Sequence, residues 1–413
     1  MGNGIPNVVD GFATGTRLRS KRQTMYRKTT LIRMTLALSI ATFLVPEATA
    51  QTSSTETPMT ETLRIATFNA SLYGKRQGQV RERLSARDDL QAKRIASIVQ
   101  TIRPDVLLIN ELDHEPDAAP ARLLAENYFA VPQNTGQNTA DGEGDGKLSP
   151  IVFPYFYSAP SNTGIDSTLD LNNDGQLGSG NDAWGYGIYP GQYSMTVYSR
   201  FPIDTASIRS FQKLRWKDLP GAIRPLDPAT GQPYYDDATW SKLRLSSKNH
   251  IDVPIQVGER LIHVLASHPT PPVFDGPEDR NGARNHDEIE FWNHYLSDDD
   301  SANTWLIDDD GRAGPLDADA SFVVMGDLNA DPIDGSGRRE AIIRLLNHPR
   351  TRDVQQNKTA DFGRNGLMRV DFVLPSKDLN VIDSGVFWPT GDAPQSTWIK
   401  ASDHRLVWID VKR

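Results

Sequence analysis

The chain has 413 residues, no cysteine, 44 Lys and Arg against 53 Asp and Glu, and a formal net charge of −9. The lack of cysteine excludes thiolate catalysis, thiolate zinc sites, cysteine-ligated clusters and disulfide support, so the fold must rest on its hydrophobic core. An acidic chain also repels bare polyanions unless a cation bridges them. The first fifty residues read as an export signal. Arg17, Arg19, Lys21, Arg22, Arg27, Lys28 and Arg33 lead into an apolar run from Met34 through Val45, and Ala48-Thr49-Ala50 offers a small-residue cleavage site. The apolar run is shorter than the ~18 residues of a spanning helix; an uncleaved anchor is the alternative. Without these residues, which carry seven basic and two acidic side chains, the charge becomes −14. Residues 51–62, rich in Ser, Thr and Glu, read as a disordered linker. Residues 63–413 read as one domain, expected to be secreted or periplasmic, monomeric, and free of a membrane anchor once the signal is removed.

Leu63 to Phe68 alternates as a strand ending at Asn69, a residue that serves a turn or offers a neutral ligand to a phosphate or metal. Ile95, Ile98, Val99 and Ile102 form one helical stripe that Pro104 ends. Asp105 to Asn110 then reads as a second strand, ending at Glu111, so a βαβ unit would place Asn69 and Glu111 at neighbouring strand ends. From Gln133 to Gly191 the chain is dominated by Gly, Asn, Asp and Ser, too long for an ordinary connection and hence a functional or metal-ordered loop. Within it, Asp170, Asn172, Asp174 and Gln176 with Gly175 have the spacing of a calcium loop, although the twelfth position is Asn181 and no helices flank it. A merely polar loop fits equally well.

Tyr193 to Tyr198 alternates as a strand. Residues 211 to 249 show no period and receive no assignment. His250 to Val257 and Arg260 to Ser267 read as a hairpin around Gly258, running into His268 before a rigid proline turn. His268 is either structural or catalytic. Asn281, Arg284, Asn285 and His286 read as a polar segment ahead of a helix marked by Ile289, Trp292 and Leu296. Val323-Val324-Met325-Gly326 reads as a buried strand followed by Asp327 and Asn329. If the chain stays extended, these two side chains share a side. A carboxylate beside an amide at a strand end suits a hard cation or a phosphoryl oxygen, or else a polar turn. Ala341, Ile342, Leu345 and Leu346 mark another helix. From Met368 to Leu374 the apolar residues alternate with Arg369, Asp371 and Val373, and Leu406 to Val411 is a last strand after Asp403 and His404.

Taken in order, "ATFNAS", "LLINELD", "YSMTVYSRFPI", "LASHPTPP", "VVMGDLNADP", "RVDFVLP" and "SDHRLVWID" make the chain resemble the endonuclease/exonuclease/phosphatase superfamily, with its deoxyribonuclease I-like fold. The prolines of "SHPTPP" depart from the common form, and the first histidine has no clear acidic partner. The resemblance implies an α/β fold: a four-layer α/β sandwich of two packed mixed β-sheets flanked by helices, with the site at one end. It implies phosphoester hydrolysis by water attack with Mg²⁺ or Mn²⁺. Glu111 would be the main metal ligand, with Asn69 and Asp403 in support. Asp327 and Asn329 would position water and phosphate, Asp371 would orient His404, and His268 would bind a phosphate oxygen or protonate the leaving group. The base, Asp327 or His404, stays open. The substrate is a small organophosphate, a lipid or a nucleic acid, so a secreted endonuclease is one alternative. A non-catalytic binding protein on the same fold is another, although such a protein has no need of both histidines.

Overall fold

The computed structural model describes residues 62–134, 146–298 and 300–413. The export signal, and the linker up to residue 61, lie outside the described residues. Strand β1 (Thr62–Leu72) passes through helices α1 (Gln79–Ser85) and α2 (Leu90–Ile102) into β2 (Val106–Leu112) and α3 (Ala119–Leu124). Strands β3 (Tyr155–Ser158), β4 (Met195–Ser199) and β5 (Arg209–Ser210) follow, then the single turn α4 (Asp237–Trp240) and the hairpin β6 (His250–Val257) and β7 (Arg260–Ser267). Helix α5 (Arg280–Tyr295), β8 (Ser321–Asp327) and α6 (Glu340–Leu346) precede the short ribbon β9 (Ala360–Asp361) and β10 (Leu367–Met368). The chain ends on β11 (Asp371–Pro375), β12 (Val381–Val386) and β13 (Val407–Lys412).

Two mixed sheets result. The first runs β12-β13-β1-β2-β4-β3 and the second β11-β8-β7-β6-β5. Each is antiparallel except at one pair, β1 with β2 and β7 with β8. Both parallel pairs need a crossover, and the helical stretches after β1 and β7 supply it. Alternation along the strands sorts the core into three layers. Ile65, Leu108, Val264, Val323 and Ile409 point between the sheets into one cluster. Phe68 and Leu107 point outward onto Ile95 and Val99 of α2. Phe322 and Val324 point the other way, onto Trp292 of α5 and Ile342 of α6. Helix, sheet, sheet and helix therefore stack as four layers. Asp89 caps α2 by accepting the Ala92 N–H, and Arg103, with φ 56°, closes it ahead of Pro104.

The structure departs from the sequence reading in four places. The polar segment at 281–286 is the first turns of α5, with Asn285 and His286 buried. The stretch 133–191 is not loop throughout, since β3 lies within it and pairs with β4. The alternation read through Met368 to Leu374 is broken: β10 ends at Met368 and β11 starts at Asp371. The aperiodic 211–249 segment packs Phe211, Trp216, Tyr235 and Leu243 into the α5 layer, and Trp216 Nε1 donates to Asp287 Oδ2 at 2.6 Å. Its aromatics follow the surface of α5 rather than a strand or helix period.

His250 opens β6 under that layer. Its ring lies 4.5 Å from Phe291 and 5.2 Å from Trp292. Nε2 lies 2.7 Å from the Glu288 carbonyl and so donates, and Nδ1 lies 2.5 Å from Ser246 Oγ. Burial of the ring pushes its pKa from 6.5 down to about 4. With the folded value below the unfolded one, this contribution is complete above about pH 6.5 and is lost as pH falls toward 4. The loss reaches about 2 kcal/mol near pH 5. Urea unfolding of the wild type and His250→Gln near pH 8 and pH 5 should show the wild type losing more stability between the two pH values. Parallel losses would remove His250 from the account.

Candidate active site

The faces that bury aliphatic residues between the sheets end in polar residues at one edge. Asn69 follows Ile65 and Thr67 on β1, Asn110 follows Leu108 on β2, His268 follows Ala266, and Asp327 follows Met325 on β8. Asp371 opens β11 directly opposite Asp327. Gly326 permits this packing: its φ is 144°, and a Cβ there would lie 2.1 Å from the Ser267 carbonyl. Asn69 joins the two sheets, donating from Nδ2 to Asp327 Oδ2 at 2.9 Å and to Glu111 Oε1 at 3.1 Å. Asn110 Oδ1 accepts the Asp327 N–H at 3.3 Å. Strict alternation would send Glu111 outward with Leu107 and Ile109. Instead its φ is 58°, and the β1–β2 register shifts between Asn69 and Leu72, so Glu111 meets Asn69.

Asp327 is the centre of the group. Its Oδ2 lies 3.5 Å from Nε2 of both His268 and His404, and its Oδ1 accepts the Asn329 N–H at 2.9 Å. That last bond closes a turn in which Asn329 has φ 52°. Asp327 and Asn329 therefore do not share one face of an extended strand, and Asn329 Nδ2 instead donates to the Pro269 carbonyl at 3.1 Å. His404 Nδ1 donates to Asp371 Oδ2 at 2.9 Å, which turns its Nε2 toward Asp327. Burial pushes the Asp327 carboxyl up, against the pull of His404. Burial pushes His404 down, but Asp371 and Asp327 outweigh it and hold the imidazole well above its usual range. His268 falls well below that range through burial, with Lys248 and His404 adding to the effect. Among the described residues its Nδ1 has no partner.

Asn69, Glu111, His268, Asp327, Asn329, Asp371 and His404 thus form one continuous network. Asp403 sits exposed at its edge, accepting from Ser71 Oγ at 3.3 Å. Two details bear on a metal. Asn69 Oδ1 accepts the Ser71 N–H at 3.1 Å, so this amide shows its N–H₂ rather than its oxygen to the carboxylates. Ligand-type atoms of Asp327, Asp371 and His404 also lie within 4.8 Å of one another. Glu111 is the half-open carboxylate, raised by burial and also by the charge of Asp403. Carboxylates that repel one another at an opening, with no thiolate present, are the donor set a hard divalent cation relieves. The 170–176 loop is separate. Asp170 accepts from the Asp174 and Gly175 N–H groups, Asn172 donates to Asp174, and Asn173 and Asn172 bond to Tyr234.

Sequence reasoning missed the residues beneath the site. Asn285 Nδ2 donates to the carbonyls of Thr270 at 2.8 Å and Leu328 at 3.0 Å, tying the turn after His268 to the turn after Asp327. Glu288, one turn along α5, accepts the Thr270 N–H at 2.6 Å and the Ser247 N–H at 2.6 Å. Lys248 lies buried beside them, donating to the Pro269 carbonyl at 3.4 Å. The signal was present: Arg284, Asn285 and Glu288 share a helical face with Ile289 and Trp292, legible once α5 is started at Arg280. Asn285→Ala should therefore lower kcat about 10- to 100-fold through misplacement of His268 and Asp327. Steady-state kinetics on a variant with wild-type circular dichroism checks this, and an unchanged kcat would refute it.

The family model for the endonuclease/exonuclease/phosphatase family matches residues 66–404. The chain belongs to that family, whose members are hydrolases of phosphoester bonds. Among solved structures it is similar to an endonuclease/exonuclease/phosphatase from Beutenbergia cavernae DSM 12333, at 17% identity over 85% of this chain and 71% of that one, with a TM-score of 0.45. It is similar to sphingomyelinase C from Streptomyces griseocarneus, at 15% identity over 84% and 99%, with a TM-score of 0.41. A beta toxin from Staphylococcus aureus with bound magnesium ions matches at 13% identity over 84% and 98%, with a TM-score of 0.41. The chain matches no curated protein by sequence.

Proposed function

We propose that the protein is an exported, metal-dependent phosphoesterase that cleaves phosphodiester or phosphomonoester bonds by direct water attack. The observation that carries this reading is the buried Asp327 carboxylate between two imidazoles, with Asn69 linking it to the half-open Glu111. Glu111, with Asp403 beside it, would hold Mg²⁺ or Mn²⁺, which when bound supplies positive charge for the phosphoryl oxygens. Asn69, as oriented, serves as the donor that keeps Glu111 and Asp327 in place. His404, held protonated by Asp371 and Asp327, is a poor base. Asp327, raised toward neutrality by burial, is the better acceptor for the proton of the attacking water, whose oxygen bonds to phosphorus as the ester P–O bond breaks. The neutral His268 donates a hydrogen bond to a phosphoryl oxygen, and Asn329 fixes the turn that aims Asp327. A binder that only retains the fold has no use for a histidine held charged against two buried carboxylates.

Small phosphoesters fit better than nucleic acid. The basic residues Arg200, Arg280, Arg338 and Arg369 are paired with Asp105, Glu278, Asp279 and Asp353 rather than lined up along a groove. Proteins that grip nucleic acid through its phosphates show a basic stripe. A panel of bis-p-nitrophenyl phosphate, p-nitrophenyl phosphate, a phospholipid, RNA and plasmid DNA should show metal-dependent turnover of the small esters at least comparable to that of DNA. EDTA should abolish it and Mg²⁺ or Mn²⁺ restore it. Glu111→Gln should weaken metal activation, and His404→Ala should fall about 10²- to 10⁴-fold. Full activity in excess EDTA, or a folded His404→Ala enzyme at the wild-type rate, would overturn the reading. Submicromolar DNA affinity in EDTA at physiological salt, without hydrolysis of small esters, would make a dedicated nuclease the better one.

We also propose that the 170–176 loop takes Ca²⁺ in a structural role, since the Asp170 and Asp174 carboxylates turn onto the loop's own N–H groups and Asn172 Oδ1 is buried with no partner among the described residues. A ligand bound only by the folded chain raises its melting temperature by mass action. Calcium should raise the Tm of the wild type, and the double substitution Asp170→Ala with Asp174→Ala should abolish the rise. A wild-type Tm that ignores calcium would leave a polar loop.

A further inference from the structure

The end of the long polar loop, from Trp184 to Tyr193, is fixed against the site. The Gly185 N–H donates to the Asn162 carbonyl at 3.2 Å, and the Gly185 carbonyl accepts from Gly164 at 3.0 Å. A Cβ at Gly185 would lie 1.7 Å from the Ser247 carbonyl, and one at Gly191 would lie 2.2 Å from the His114 carbonyl. Tyr189 Oη bridges Asp113 Oδ2 at 2.6 Å and the Gly74 carbonyl at 2.9 Å, and Gln192 Nε2 also donates to Gly74. Backbone approaches of this kind leave the segment little freedom to move.

This fixed segment carries Tyr186 and Tyr193. The Tyr193 ring lies 4.5 Å from that of Tyr73, inclined at 60°, and 6.5 Å from that of Tyr186, at 25°. Tyr73 leaves β1 four residues after Asn69. Tyr73 and Tyr186 remain 37% and 58% exposed, so the cluster opens to solvent. It also stands among carboxylates. Burial raises the Tyr73 phenol, and the charges of Glu111 and Asp403 raise it further. Burial likewise raises Tyr193, followed by its neighbours Tyr73 and Tyr186 and then by Glu111 and Asp113. Elsewhere guanidinium groups cover aromatic faces, as Arg244 does over Trp184 at 4.9 Å, Arg64 over Trp408 at 4.2 Å and Arg405 over Trp388 at 4.5 Å. Among the described residues no Lys or Arg lies over Tyr73, Tyr186 or Tyr193. The nearby arginines are engaged, Arg76 with Glu82 and Arg83 with Asp89.

We propose that Tyr73, Tyr186 and Tyr193 form a subsite for an organic cation, an ammonium group carried by the phosphoester substrate. This rests on the phosphoesterase reading and narrows its substrate class. The negative faces of tyrosine rings attract a cation within about 6 Å of the ring centre, and the attraction strengthens when the cation is desolvated. The carboxylates add to it. A divalent ion at Glu111 and Asp403 cancels the formal charge of those two but leaves the ring faces and Asp113. A neutral planar group or an aliphatic tail would use the rings but gain nothing from the carboxylates, so charge complementarity selects the cation.

Two p-nitrophenyl phosphodiesters test this, one esterified to choline and the other to its uncharged tert-butylethyl isostere. They share leaving group and shape and differ in one charge. The wild type should favour the choline ester about tenfold in kcat/KM. Tyr186→Ala should bring the ratio close to one, and Tyr186→Phe should keep it. Tetramethylammonium binding, followed by tyrosine fluorescence, reads the subsite without turnover. It should saturate in the wild type and in Tyr186→Phe, and be lost in Tyr186→Ala. Hydrolysis of both esters at equal rates overturns the subsite and leaves the phosphoesterase reading intact. A preference for the uncharged ester marks the rings as a plain apolar contact and overturns it too. Hydrolysis of neither ester counts against the phosphoesterase reading, and saturable tetramethylammonium binding then still supports the cation subsite, whereas its absence overturns it.

Discussion

Two carboxylates, Asp327 and Asp371, stand opposite each other in strand register at the polar edge of a core made of aliphatic side chains. Burying like charges side by side is expensive unless donors and counter-charges surround them. The neighbourhood is that compensation. Asn69 brings an amide from the other sheet to Asp327, His404 donates an N–H to Asp371, and the Asn329 N–H donates to Asp327. The same arrangement that makes the charges tolerable also fixes the chemistry. His404 cannot readily lose its proton, and Asp327 is pushed toward holding one. The reactivity proposed for this edge follows from how the sandwich closes.

The strands that carry the site could be read directly, because a buried sheet writes its period into the sequence. The hairpin at 250–257 and 260–267 falls where alternation around Gly258 places it, and the βαβ unit from Leu63 to Glu111 is present with its parallel pair. The polar residues singled out at strand ends do converge. The local turns that orient them could not be read. Positive φ at Glu111 and Asn329 reverses the direction that alternation assigns to those side chains, and nothing about a Glu or Asn in a sequence announces a left-handed backbone. The contacts of Asn285 and Glu288 with Thr270, Leu328 and Ser247 were illegible for another reason. They join residues 15 to 43 positions apart, and only the packing of α5 onto β7 and β8 brings them together.

The site is accordingly built from two kinds of element. Strand ends supply the clustered carboxylates and imidazoles, held from below by α5. The 184–193 segment and the turn after His268 supply the walls. Both walls meet the same support: Arg284 donates to the Trp184 carbonyl at 2.6 Å, and Asn285, its neighbour on α5, donates to the Thr270 carbonyl. One helix thus sets the depth of the carboxylate–imidazole cluster and the position of the tyrosine-bearing wall together. On the proposed reading, a change in α5 would alter bond cleavage and substrate choice at once, whereas a change at the exposed tip of Tyr186 would alter only the cation subsite. That separation lets a family fold keep its chemistry while the long connections between its strands vary the ester it accepts.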